Sequence, residues 1–126
     1  MGSQARLGAM TPLQLVGDVE VSVAFYQRMG FAPLYREEGF AMLARDGARL
    51  MVKSVGGLSP EPNPRRHPWL KWDAYIATEE PDLLAAEFQA AGVTFHRAVG
   101  DTSDGQRGFE VADPDGYVLF FGRRRR

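Results

Sequence analysis

The chain has 126 residues, 44% hydrophobic and 25% charged, a composition that suits one globular domain and does not favour disorder. It has no cysteine, which excludes disulfides, thiolate nucleophiles and cysteine-ligated zinc, and we expect a cytoplasmic protein. Four of the 15 basic residues are the C-terminal arginines, so the remaining 11 stand against 16 acidic residues and the body carries −5. Such a body favours a cationic ligand over nucleic acid, and no apolar run is long enough for a membrane span.

The first half of the chain predicts a strand, a helix and three more strands. Residues 11–17 are typical of a short strand, after residues 1–10, which we expect to be a leader or tag remnant. Asp18 is a good N-cap for a helix with apolar positions at i, i+4 and i+7, and Gly30 is a typical helix end. Three strands are then predicted, over 31–36, 39–45 and 48–54. The Asp46-Gly47 pair between the last two predicts a hairpin.

Residues 55–69 interrupt this pattern. They are rich in proline and glycine, which makes regular structure improbable and predicts a linker or lid. The second half then predicts a strand over 70–78, a helix over 81–91 and three strands. Those strands are predicted over 94–99, 107–112 and 117–122. The arginine run 123–126 is expected to be a solvated, frayed tail.

The two halves match each other. Gly30 corresponds to Gly92 at an offset of 62 residues, and Asp46-Gly47 corresponds to Asp115-Gly116 at an offset of 69. A duplicated unit predicts an α+β fold in which residues 11–122 form one domain of two tandem βαβββ modules, 11–54 and 70–122. We expect a cupped, antiparallel-dominated sheet arrangement with helices outside and a shared hollow within.

Two motifs carry a resemblance to a known family. Residues 16–31 resemble the opening, and residues 109–117 the closing motif, of vicinal oxygen chelate proteins. This superfamily includes glyoxalase I, extradiol dioxygenases, fosfomycin-resistance enzymes and bleomycin-binding proteins. The resemblance covers nearly the whole chain and is closest to the metal-less bleomycin-resistance type. It implies the glyoxalase/bleomycin-resistance fold, but it does not choose an activity.

The resemblance also implies where a metal would sit. Carried onto this chain, the four ligand positions fall on Thr11, Met51, Asp73 and Phe120. Of these four side chains, the Asp73 carboxylate alone is a suitable donor for a divalent first-row ion. We therefore expect no metal and no cofactor.

A ligand cavity is implied in place of a metal site. Its expected residues are aromatic, thioether or charged side chains on the predicted strands and near the linker: Tyr35, Phe40, Arg49, Met51, Lys53, Trp69, Trp72, Asp73, Tyr75 and Phe120. Flat aromatic rings can stack a planar ligand, and Asp73 could anchor a positive group. The alternative is that the aromatic rings simply fill the core. No catalytic residue stands out, and residues 113–116 are typical of a turn rather than a catalytic carboxylate pair.

These observations favour a metal-independent protein that sequesters a planar antibiotic, cationic or peptide-like, in an aromatic groove. A diverged lyase or isomerase and a ligand-free dimeric interaction module stay open as alternatives. The resemblance implies a homodimer with its binding groove at the subunit interface, and the linker is a candidate crossing arm or lid. We expect neither a nucleic-acid nor a membrane partner.

Overall fold

The computed structural model describes residues 2–126. The first module consists of β1 (Leu13–Leu15), α1 (Val19–Arg28), β2 (Ala32–Glu37), β3 (Phe40–Arg45) and β4 (Ala48–Lys53). A short helix, α2 (Asn63–Arg66), lies in the linker. The second module consists of β5 (Ala74–Ala77), α3 (Pro81–Ala90), β6 (Phe95–Asp101), β7 (Gln106–Ala112) and β8 (Val118–Arg124). None of the helices formed by residues 2–126 has the length and apolar character needed to cross a bilayer.

Local sequence signals explain the helix boundaries. Asp18 caps α1, since its Oδ1 accepts hydrogen bonds from the backbone N–H groups of Glu20, at 2.9 Å, and Val21, at 3.3 Å. Gly30 follows α1 with φ of 87°, and Gly92 follows α3 with φ of 82°, in the left-handed region that favours glycine. Both predicted helices are therefore confirmed, with the expected cap and glycine stops.

The strands form two four-stranded sheets, in the orders β1-β4-β3-β2 and β5-β8-β7-β6. In each sheet the first strand pairs in parallel with the last, while the other four of the six pairings are antiparallel. Leu13 pairs with Met51 in one sheet, and their repeat equivalents, Tyr75 and Phe120, pair in the other. The predicted α+β duplication is confirmed.

One helix covers one face of each sheet, and the two modules share a core. That core includes Val23 of α1, Val52 of β4, Phe88 of α3 and Phe121 of β8. Contacts that join the modules include a hydrogen bond that Tyr26 Oη donates to Asp113 Oδ2 at 2.9 Å and the ion pair between the Arg45 guanidinium and the Glu87 carboxylate at 2.6 Å.

The two sheets are separate and do not close on each other. One face of each sheet packs against a helix and contributes to the shared core. We call the opposite face of each sheet its open face.

Two expectations are wrong. The linker contains regular structure, because Pro64 lies within the first turn of α2, where proline is tolerated. The arginine run is not a frayed tail, because β8 continues to Arg124. Arg125 N donates to Gly105 O at 2.8 Å, and the Arg126 guanidinium pairs with Glu79 at 2.5 Å.

Candidate functional site

Three aromatic rings cluster on the open face of the second sheet. Phe121 of β8 packs against α3, so alternation along the strand turns Phe120 to the opposite face. Tyr75 is the register partner of Phe120, and their rings are stacked with centroids 5.3 Å apart. The Trp72 ring lies 5.6 Å from that of Tyr75 and 6.2 Å from that of Phe120. We call Trp72, Tyr75 and Phe120 the aromatic platform; the structure brings these three predicted site residues together.

Two glycines make room for the platform. A Cβ atom on Gly108 would lie 2.6 Å from Cζ of Phe120, and one on Gly122 would lie 2.7 Å from its Cε1. The Phe120 ring therefore lies close over the backbone of β7 and β8 and is only 3% exposed. Tyr75 and Trp72 are 39% and 36% exposed and form the accessible part of the platform.

A pocket of about 230 Å³ lies beside the platform. Its other wall is polar and consists of Lys71, Arg97, Thr102, Asp104, Gln106 and Glu110. The β6–β7 turn is held by its own hydrogen bonds, since Thr102 Oγ1 accepts from Gln106 N at 2.9 Å and donates to Asp104 Oδ1. This turn positions the Gln106 side chain, whose Oε1 accepts from Tyr75 Oη at 2.7 Å.

The charges at the exposed rim of this pocket partly balance. The hydrogen bond from Thr102 lowers the pKa of the Asp104 carboxyl, and the nearby cations Lys71 and Arg97 lower it further. Asp104 therefore offsets part of the positive charge at the rim.

Glu110 is a pocket residue that the sequence analysis missed. In β7 it pairs with Phe120 on one side and with Arg97 on the other, and it is 7% exposed. Its Oε1 lies 3.8 Å from Nε2 of His96, beyond hydrogen-bond distance. The signal was present in the sequence: closing a hairpin on the turn at 113–116 pairs 112 with 118, and hence Glu110 with Phe120.

Asp73 has a structural function in this chain. Its Oδ1 accepts from the backbone N–H of Asn63 at 2.7 Å, and its Oδ2 accepts from that of Val118 at 2.8 Å. Both oxygens are thus engaged in fastening the linker to β8, which makes Asp73 a poor anchor for a ligand cation and a poor metal ligand. With Thr11, Met51 and Phe120 at the other three implied positions, the donor set does not fit a divalent ion. Across residues 2–126 no three His, Cys, Asp or Glu side chains cluster as metal ligands would.

Five other predicted site residues lie on the open face of the first sheet. They are the strand residues Tyr35, Phe40, Arg49, Met51 and Lys53, which alternate with buried neighbours such as Leu50 and Val52. The Tyr35 and Phe40 rings are 6.0 Å apart. The predicted site is therefore divided between two sheets, and residues 2–126 of a single chain do not assemble all of it.

The remaining predicted residue, Trp69, lies apart from both groups. It stacks on His67 in the linker with ring centroids 4.7 Å apart and is 68% exposed. Its environment differs clearly from that of Trp72 on the platform.

A larger cleft of about 690 Å³ lies between the modules. It is lined by the turn after β3, by β5 and by α3, and two predicted site residues, Arg49 and Tyr75, reach it. The Arg45–Glu87 ion pair also borders this cleft. Of the three platform residues Tyr75 alone lines this cleft, whereas all three line the smaller pocket.

The turn at residues 113–116 holds a buried carboxylate away from both pockets. Asp113 Oδ1 accepts from the backbone N–H groups of Asp115, at 2.9 Å, and Tyr117, at 3.0 Å, and Oδ2 accepts from Tyr26 Oη. Burial raises the pKa of Asp113 to about 6, although these hydrogen bonds act in the opposite direction. The expected turn is confirmed, and it also contacts the first module.

Comparison with solved structures supports the fold. The chain is similar to a bleomycin-binding protein complexed with bleomycin (21% identity, TM-score 0.73, covering 94% of this chain and 100% of that one). It is also similar to the bleomycin-binding protein of bleomycin-producing Streptomyces verticillus complexed with copper(II)-bleomycin (24%, TM-score 0.69, 94% and 97%). A third similar structure is a glyoxalase/bleomycin resistance protein/dioxygenase from Alicyclobacillus acidocaldarius (16%, TM-score 0.75, 92% and 90%).

The family follows from the sequence match. No curated protein matches the sequence. The model of the Glyoxalase/Bleomycin resistance protein/Dioxygenase superfamily, however, matches residues 8–121, which is most of the chain. The chain therefore belongs to the Glyoxalase/Bleomycin resistance protein/Dioxygenase superfamily.

Proposed function

We propose that this protein is a metal-independent binding protein that sequesters a planar antibiotic, cationic or peptide-like, on its aromatic platform. The observation that carries the proposal is the contact of Trp72, Tyr75 and Phe120 on the one sheet face that α3 leaves uncovered. Two of the similar solved structures are bleomycin-binding proteins in complex with bleomycin or its copper(II) form, which supports the same class of ligand.

The platform suits a flat ligand for a physical reason. Stacked aromatic pairs gain roughly 0.5–1.5 kcal/mol beyond the area that they bury. Phe120 is buried and fixed by the glycines beneath it, while Trp72 and Tyr75 keep about a third of their surface accessible. A planar ring that covers these two side chains would bury apolar surface without requiring the sheet to rearrange.

A second copy of the chain would complete the groove in this proposal. The open face of the first sheet carries the apolar row Leu13–Met51–Met42–Tyr35, in which Leu13 and Tyr35 are more than half exposed. Exposed apolar faces of this kind are typical of interaction surfaces. We expect a homodimer in sedimentation equilibrium that Leu13→Glu weakens. Leu83→Glu, at an exposed position on α3, should leave the assembly unchanged.

Single-tryptophan variants test the binding site directly. The chain has two tryptophans, so Trp69→Phe leaves Trp72 as the only strong emitter and Trp72→Phe leaves Trp69. Metal-free bleomycin, titrated in the presence of a chelator, should quench Trp69→Phe saturably. It should leave the emission of Trp72→Phe almost unchanged, because Trp69 stacks on His67 in the linker.

Three results would refute the proposal. Equal, unsaturable quenching of both variants would indicate non-specific contact. Binding that needs added metal would contradict the metal-independent mode. Absence of binding by bleomycin and by smaller planar antibiotics in calorimetry would remove the platform as a drug site.

A further inference from the structure

We propose that Glu110 makes the platform pocket selective for a flat, positively charged ring, and that it is the specificity-determining residue of this site. The inference rests on the proposed binding function and adds the charge and size of the group that the pocket accepts. It follows from the position of one carboxylate beside one aromatic ring on neighbouring strands.

The register places the carboxylate at the platform. Glu110 and Phe120 are direct cross-strand partners in the antiparallel pair β7–β8, and both line the pocket. Directly opposed side chains in such a pair have Cβ atoms about 4.5–5.5 Å apart. A ligand ring packed in the pocket against the accessible Tyr75 side chain, which itself stacks on Phe120, would therefore lie close to the Glu110 carboxylate.

The charge of the pocket favours a cation at that point. Lys71, Arg97 and Asp104 are exposed, and their charges are screened by water and partly offset one another. Glu110 is 93% buried by contrast, and Nε2 of the half-exposed His96 lies 3.8 Å from its carboxylate. The faces of the aromatic rings attract positive charge as well. The buried carboxylate and the platform thus favour the same sign of ligand.

The size of the pocket limits the ligand to one ring system. Its volume of about 230 Å³ is below the roughly 300–1,000 Å³ of sites that enclose a whole drug-sized molecule. The group recognised is therefore a planar cationic ring, such as an N-alkylated heteroaromatic, either alone or at the end of a longer ligand.

The Glu110 carboxylate lies 3.8 Å from Nε2 of His96, too far for a hydrogen bond, so this contact does little to hold the fold together. A neutral amide of the same shape should therefore be tolerated at this position. We therefore expect Glu110→Gln to unfold at the same temperature as the wild type or at a higher one. A residue that only supports the fold would show the opposite result, a lowered unfolding temperature.

Two probes of matched shape test the selectivity. N-methylquinolinium carries a permanent positive charge, while 4-methylquinoline is uncharged in neutral buffer, and calorimetry can measure both dissociation constants on the intact chain. We expect the wild type to prefer the cation by at least about tenfold. Glu110→Gln should lower that preference to about threefold or less, mainly by weakening the cation. Glu38→Gln, which neutralises an exposed carboxylate in the turn between β2 and β3, outside this pocket, should keep the preference of the wild type.

The outcomes separate this inference from the function on which it rests. Equal binding of the two probes by the wild type, or an unchanged preference in Glu110→Gln, would overturn the selectivity and leave the platform as a binding site. Binding of neither probe, together with no quenching of Trp72 by bleomycin, would overturn both.

Discussion

The buried carboxylate of Asp113 makes the stability of this protein depend on pH in an unusual direction. Its pKa in the folded protein is about 6, raised by burial from the ordinary 3.8. Between these values the folded protein keeps a proton that the unfolded chain has lost. The free energy of unfolding therefore falls as the pH rises through this window, by about 3 kcal/mol from this group alone. A carboxylate with a lowered pKa would give the reverse trend.

Asp113→Asn should remove this dependence while keeping the turn. The asparagine Oδ1 can accept the two backbone hydrogen bonds from Asp115 and Tyr117, and its amide can donate to the Tyr26 hydroxyl. Other carboxyls, such as Glu87 beside Arg45, have lowered pKa values and stabilise the protein as the pH rises. The difference between the wild type and the variant at each pH isolates the contribution of Asp113, because both share these other groups.

Urea denaturation of both proteins between about pH 4 and about pH 7 measures this difference. We expect Asp113→Asn to gain about 3 kcal/mol relative to the wild type across that range, with most of the gain below about pH 6. Asp46→Asn is the matched control, since it changes an exposed hairpin aspartate with φ of 52°, a conformation that asparagine tolerates. Parallel pH profiles of the wild type and Asp113→Asn would refute the assignment of the raised pKa.

Two further substitutions test the support of the platform. Gly108→Ala would place a Cβ atom 2.3 Å from the Phe121 carbonyl oxygen and 2.6 Å from the Phe120 ring, so we expect a loss of about 1–3 kcal/mol in thermal unfolding and weaker ligand binding. Asp73→Ala would leave the backbone N–H groups of Asn63 and Val118 without their acceptor, at a cost of about 1–3 kcal/mol each. It should also speed tryptic cleavage in α2.

The controls for these two variants change a glycine and an aspartate away from the platform and the linker. Gly47→Ala adds the same methyl group where no atom lies within 4 Å, and its melting temperature should stay close to that of the wild type. Asp46→Asn alters an aspartate outside the linker and should leave the cleavage rate unchanged. A stable Gly108→Ala with an intact platform would contradict the close packing of Phe120. A protease-resistant Asp73→Ala would contradict the fastening of the linker.

The elements of this fold could be predicted because short-range signals determine them. The Asp18 cap, the glycine after each helix and the Asp46-Gly47 hairpin act within a few residues, and each is present in the structure. Internal repetition added the expectation that the second module repeats the plan of the first, and the equivalent pairings of Leu13 with Met51 and of Tyr75 with Phe120 agree with it. These features require no knowledge of how the two modules pack.

The site was harder to predict because its neighbours are set at long range. Strand alternation shows which face a side chain occupies, but not which residues lie beside it on the next strand. Glu110 reaches the platform through the β7–β8 register. Asp73 is not free to bind a ligand, because the backbone N–H of Asn63 in the linker donates a hydrogen bond to its carboxylate. The arginine run was misjudged for the same reason, since its partners Glu79 and Asp101 lie far away in the sequence.

The duplication separates the residues that fold the chain from those that can bind a ligand. In both sheets the rows that face the helices are apolar: Leu50 and Val52 are buried in β4, and their equivalents Leu119 and Phe121 are buried in β8. The two rows are alike because each packs against the helix of its own module, where large apolar side chains stabilise the fold by being buried.

The rows on the open faces do not pack against a helix, and their residues differ between the two sheets. In register order the row of the first sheet is Leu13–Met51–Met42–Tyr35, and that of the second is Tyr75–Phe120–Glu110–Arg97. Two sheets of one geometry thus present an apolar surface and an aromatic surface with a buried charge. The apolar row can pack against a second apolar surface. The aromatic row, which includes Glu110, has the groups needed to select a ligand. Exchanging Met42 for Glu on the first sheet should therefore not create a cation site, because that row lacks the stacked rings beside the charge.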